Sequence, residues 1–138
     1  MGTLQQAPIE HVGPNDVQVV DDTILVRYHG TLLPSEAKAL LDRVDQLGTR
    51  FPIVYLLGDL TDAAPPPADA RKVLAAWHVS GFECITIYFG GNLLLRTASQ
   101  LILSAMRIIG RTTLETHHFA TEVEAFAFLN ARRETRSR

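Results

Sequence analysis

The side chains able to do chemistry gather where strand-like runs end. His29 follows the run 23–28, Asp59 and Asp62 follow 53–57, Asn92 follows 85–89, and His117 and His118 close the run 112–119. Imidazole and carboxylate together can ligate zinc or work as acid and base. The spacing argues against both. With the strands side by side in chain order, His29 and His118 stand three strands apart, about 14 Å at ~4.8 Å per step. Zinc ligands all lie ~2.0–2.3 Å from one ion. No HExxH, CxxC or Gly-x-Ser-x-Gly pattern occurs. Cys84, the single cysteine, heads its strand, at the opposite end from the histidines, so a Cys/His nucleophile is not expected. Gly90-Gly91-Asn92 before a helix could receive an anion on free N–H groups. It lacks the remainder of a P-loop or dinucleotide fingerprint. The expectation is no catalytic residue, no metal and no cofactor.

The elements that must position these groups are readable from periodicity. Residues 1–15, with Pro8, Gly13 and Pro14, look like a flexible leader. Val17–Val20 and Thr23–Tyr28 are β-like runs joined by Asp21-Asp22, which predicts a hairpin. Pro34 suits the first position of a helix that buries Ala37, Leu40, Leu41, Val44 and Leu47 and ends at Gly48. The centre of the chain is Pro52–Trp77. An apolar strand breaks at Gly58-Asp59-Leu60-Thr61-Asp62, three prolines follow, and a helix begins with Ala70, Val73, Leu74 and Trp77 on one face. Ile85–Phe89 is a strand, and Asn92 can cap the helix 93–109. A last strand, 112–119, leads through the capping box Thr121–Glu124 into a helix burying Val123, Phe126, Ala127 and Leu129. The order ββαβαβαβα predicts an α/β fold of mostly parallel sheet, an antiparallel N-terminal edge strand and four helices.

Composition bounds the function. The 138 residues suit one domain, here 16–133 with a basic tail at 134–138, and 46% hydrophobic with 20% charged content suits a globular protein. A net charge of −2 gives no general pull toward nucleic acid or anionic membrane. The four arginines among residues 132–138 read as a solvated, fraying tail. One cysteine excludes an internal disulfide and fits a reducing, cytoplasmic compartment. No signal peptide is read at the N-terminus. No membrane insertion is expected, because Arg96 and Arg107 interrupt the most apolar stretch.

The order of elements resembles the STAS fold of anti-sigma-factor antagonists and of sulfate-transporter cytoplasmic tails, and most of all uncharacterised bacterial STAS-like proteins. The likeness spans about residues 16–133. It rests on the hairpin entering a helix at HGTLLPSEAKALL, on Asp59-Leu60-Thr61 closing a strand, and on HFATEVEAFAFLN at the end. The family's phosphorylatable Asp-Ser-Ser-Gly falls on Pro67-Ala68-Asp69-Ala70, with Ala68 where the acceptor serine would stand. The resemblance therefore implies a regulatory domain without that phosphorylation. Asp69 either mimics a phosphate or complements the positive end of its helix.

These readings predict a non-enzymatic protein-interaction module, with a kinase or sigma-regulatory protein as the partner implied by the resemblance. The expected binding surface is Asp59, Thr61, Asp62, Asp69, Arg71 and Lys72. The alternatives are a lipid- or nucleotide-binding domain, with helix 93–109 lining a cavity, and an enzyme using His29 or His118 with Asp59. On a helical wheel Leu94, Ala98, Leu101, Ile102, Ala105, Ile108 and Ile109 form the face expected to cover the sheet. Leu95, Ser99, Leu103 and Met106 are left as the expected homodimer interface.

Overall fold

A computed structural model describes residues 4–110, 112 and 114–137. The expected α/β architecture is present, with one further strand. The elements are β1 (Glu10–Val12), β2 (Asn15–Val20), β3 (Thr23–Gly30), α1 (Pro34–Gly48), β4 (Ile53–Ala63), α2 (Ala68–Ala75), β5 (Glu83–Phe89), α3 (Leu93–Ile108), β6 (Glu115–Phe119) and α4 (Glu122–Ser137). The strands form one sheet in chain order. β1, β2 and β3 are mutually antiparallel, and β3 to β6 are parallel.

Three crossovers stepping the same way across the sheet put α1, α2 and α3 on one face. There Ala37, Leu40, Val44 and Leu47 of α1 meet Ile24, Val26, Val54 and Leu56. On the other face Ala125 and Leu129 of α4 cover Leu25, Leu57, Ile85 and Ile87. Burial on both faces is why the central strands read as unbroken apolar runs. Val123, expected in the core, is 79% exposed, and Ala125 takes the buried position instead.

Residues 4–12 are not a loose leader. Leu4 is buried against the α4 side of the sheet. The Gln18 amide donates to the carbonyls of Gln5 and Ala7, each at 2.9 Å. These contacts anchor a segment whose composition alone looks solvated. The basic C-terminal run is likewise engaged at its start: Arg132 donates to Glu115 at 2.6 Å and Arg133 pairs with Asp22, both from within α4.

The strand expected to stop at Leu57 continues to Ala63. Its polar residues stay in the sheet because β3 supplies partners. Arg27 lies in register with Asp59 and donates to it at 2.8 Å; His29 lies in register with Asp62 at 2.9 Å. The register shifts between Arg27 and His29, with one extra residue on β4; on the other edge of β3, buried Asn15 of β2 accepts from the His29 N–H and donates to the Val12 carbonyl. α2 ends at Ala75, before Trp77. The indole is buried nonetheless and donates to Asp45 at 3.0 Å.

Candidate functional site

The site grows from a row of residues across the C-terminal half of the parallel strands. In open α/β sheets that is the end at which ligands bind. Gly58 on β4, Tyr88 on β5 and His118 on β6 lie in register; on β3 Gly58 faces Val26, and the ring of Tyr28, two residues further along, reaches over the same glycine. By alternation, Tyr28 and Tyr88 share the face of Val26 and Cys84, toward α1, α2 and α3. Gly58 is required between them. A Cβ there would come within 2.6 Å of Tyr88 Cδ1 and 3.3 Å of Tyr28 Cε2. His118 stacks on Tyr88 from the far side, ring centroids 5.3 Å apart.

Above this floor the sheet and helices do not meet, and an apolar cavity remains. Leu40, Leu41 and Val44 of α1 form one wall, Leu74 and Trp77 a second, and Leu95, Ser99, Ile102, Leu103 and Met106 of α3 a third. Gly30, Ala63, Ala64 and Pro66 contribute to the lining where β3 and β4 end. The Ala64 N–H donates to the Gly30 carbonyl at 3.0 Å, fixing this part. The cavity volume is about 100 Å³. One water needs ~10–15 Å³ of such space, so the cavity has room for several waters or a small organic molecule. No residue lining the cavity is charged.

α3 is therefore turned relative to the expected wheel, with Ile102 of the expected face still lining the cavity. Leu95 and Met106 are 5% and 4% exposed, whereas Leu94, Leu101 and Ile108 are 63%, 66% and 79% exposed. The residues expected as a homodimer interface, Leu95, Ser99, Leu103 and Met106, line the cavity instead. The physical reason is that α3 is apolar nearly all round, so a wheel offers two stripes and no rule for choosing. Asn92 caps the helix as expected, its side chain accepting from the Leu95 N–H at 3.0 Å.

The electrostatics of the floor are those of neutral groups. Burial raises the Tyr28 hydroxyl's pKa far above its ordinary value, and the neighbouring Tyr88 adds to the shift. Tyr88 is pushed up to about 12, first by burial. His118 is held below the ordinary imidazole range by burial, then by Arg96 and His117, and its Nε2 is buried without a hydrogen-bond partner among the described residues. Cys84 is buried and its thiol pushed up to about 12 by burial, so the expected inert thiol is what the geometry supports.

Asp59, His29 and His118 each have other partners. Asp59 is bound by Arg27 and by the Thr61 N–H. Burial pushes its carboxyl up, but hydrogen bonds from Thr61 and Arg27 outweigh this and hold it below the usual range. Arg27 also reaches Glu122 at 2.8 Å, linking α4 to the sheet. His29 lies between Asp62 and Asp16, at 2.9 and 3.4 Å, and His118 belongs to the tyrosine row. Among the described residues no group of three histidine, cysteine or acidic side chains could hold a metal.

Of the expected protein-binding surface, Thr61, Asp62, Asp69, Arg71 and Lys72 are exposed and Asp59 is half-buried. Several of their polar groups serve local structure. Asp69 accepts from the Ala70 N–H in the first turn of α2, and Arg71 donates to the Pro66 carbonyl. Sequence reading missed Tyr28, Gly58 and Tyr88. The only signal was their placement one strand apart, on runs whose register was not yet known. No helix among the described residues is long and apolar enough to cross a membrane. No family model matches the chain, and no curated protein matches it in sequence.

Proposed function

We propose that this chain is a non-enzymatic binding module that holds a small apolar molecule between its sheet and α3. One observation carries the reading: a cavity with uncharged walls, floored by two tyrosines, at the C-terminal end of a parallel sheet. An apolar cavity of this size is a ready site for a small hydrophobic ligand. The uncharged lining argues against the nucleotide form of this reading, because phosphates inside would be unpaired. Native mass spectrometry of the protein taken directly from cells tests the proposal. A retained mass, released on denaturation and reduced by Ser99→Phe, which fills the space, is expected. No retained mass, together with no rise in melting temperature across a panel of small hydrophobic compounds, would refute it.

A second reading, recognition of a protein partner as the STAS-like resemblance implies, is supported by the outward stripe Leu94, Leu101 and Ile108 and by the exposure of Arg71 and Lys72. A kinase or sigma-regulatory protein is the partner that resemblance suggests, and a cytoplasmic setting follows from it. Titration of a partner recovered by pull-down, against Leu101→Glu and Arg71→Ala variants, tests it. Unchanged affinity in both would remove this surface.

A further inference from the structure

We infer that the cavity selects an uncharged ligand carrying a single hydroxyl or carbonyl group, which the hydroxyls of Tyr28 and Tyr88 receive. The inference rests on the apolar-ligand reading above and adds the ligand's polar end.

Three of the five polar side chains that line the space, Trp77, Thr86 and Ser99, are engaged within the protein. Trp77 Nε1 is spent on Asp45. Thr86 Oγ1 lies 2.6 Å from Thr116 Oγ1 and 3.2 Å from the Glu115 carbonyl. Ser99 Oγ donates to the Leu95 carbonyl one turn back. The hydroxyls of Tyr28 and Tyr88 make no hydrogen bond among the described residues. Among the described residues the unpartnered polar atom that is fully enclosed is His118 Nε2, so neither tyrosine hydroxyl is completely sealed off. Both rings flank Gly58, and both side chains line the cavity.

A phenol hydroxyl is one donor and an acceptor. Two of them beside an apolar space leave hydrogen-bonding capacity that hydrocarbon cannot use. A hydroxyl or carbonyl on the ligand can. A carboxylate cannot be accommodated so well, because no cation lines the cavity to offset its desolvation. The volume sets the scale at a small organic molecule. Small phenols, benzylic alcohols and medium-chain alcohols or ketones are the chemical class that fits.

The test uses three probes of nearly equal size, toluene, benzyl alcohol and benzoate, titrated at pH 8 into the full chain and followed by amide shifts. Benzyl alcohol is expected to bind more tightly than toluene by about two- to tenfold, the worth of one net hydrogen bond. Benzoate is expected to show no saturable binding. In the Tyr28→Phe, Tyr88→Phe double variant the alcohol should lose its advantage while toluene affinity holds. That substitution removes only oxygen atoms, and retained toluene binding reports that the cavity is intact. Equal affinity of alcohol and toluene in the wild type, or an advantage that survives in the double variant, overturns this inference and leaves the apolar cavity standing. Failure of toluene and alcohol alike overturns both.

Discussion

Replacing Gly58 by alanine asks whether the two tyrosines are seated as described. The added methyl would lie 2.6 Å from Tyr88 Cδ1, 2.8 Å from Cε1 and 3.3 Å from Tyr28 Cε2. Carbon atoms are most stable ~3.5–4.0 Å apart, so the Tyr88 ring must move by about 1 Å. Overpacking of this kind costs about 1–3 kcal/mol. Gly58 does not have a positive φ, so alanine is tolerated by the backbone, and restricting the unfolded chain returns about 0.4–1 kcal/mol. The net expectation is a loss of up to about 2.6 kcal/mol. The rings' escape is into the cavity, so toluene affinity should fall with stability. Urea unfolding read by circular dichroism gives the first quantity from the midpoint at unchanged slope. A Gly58→Ala protein as stable as the wild type, with toluene binding intact, would show that the rings do not crowd this position.

Further expectations concern the helix, the histidines and the ion pair. Leu94→Glu should leave stability within about 0.5 kcal/mol, as exposed substitutions do, whereas Leu95→Glu buries an unpaired charge and should cost about 3 kcal/mol or more; similar denaturation midpoints for the two would contradict the seating of α3. Imidazole titration by NMR should place His29 above the ordinary value near 6.5, because Asp62 and then Asp16 favour its charged form against burial, and His118 below it. The stabilising contribution of His29 is then full below about pH 6.5 and lost as pH rises through its raised value, while His118 destabilises the fold as pH drops below about 6.5; the reverse order of the two titrations would refute the assigned environments. Arg27→Met should cost about 1–2 kcal/mol near neutral pH, the pair being partly solvated. Because Asp59 is held below its usual range, this loss should shrink in acid as Asp59 protonates, and a cost independent of pH down to pH 2 would argue against the pair.

The order of elements was legible because each helix and strand carries its own period. The hairpin at Asp21-Asp22 is found where expected, and Asp21 takes the positive φ, 53°, that such a turn requires and aspartate tolerates. What escaped depended on partners far away in the chain. Gly58 to Asp62 has the composition of a turn, yet it is strand because Arg27 and His29 satisfy its carboxylates. Leu4 looks solvated until the sheet is present to receive it. α3 shows the limit most clearly. Its sequence says that it is apolar, but which side faces inward depends on where Leu74 and the sheet stand. The cavity is a gap between elements, which no run of residues encodes. The two tyrosines lie sixty positions apart in the chain and become neighbours across Gly58 only once the register is set.

The central claim, that the space between sheet and α3 accepts an apolar molecule, is tested most directly by a toluene titration followed through backbone amide shifts in the wild type and in Ser99→Phe. Saturable shifts are expected at residues lining the cavity, such as Tyr28, Leu56, Tyr88 and Leu103, with loss of binding when phenylalanine fills the space beside them. Shifts confined to the exposed stripe at Leu94, Leu101 and Ile108, or binding indifferent to Ser99→Phe, would contradict it.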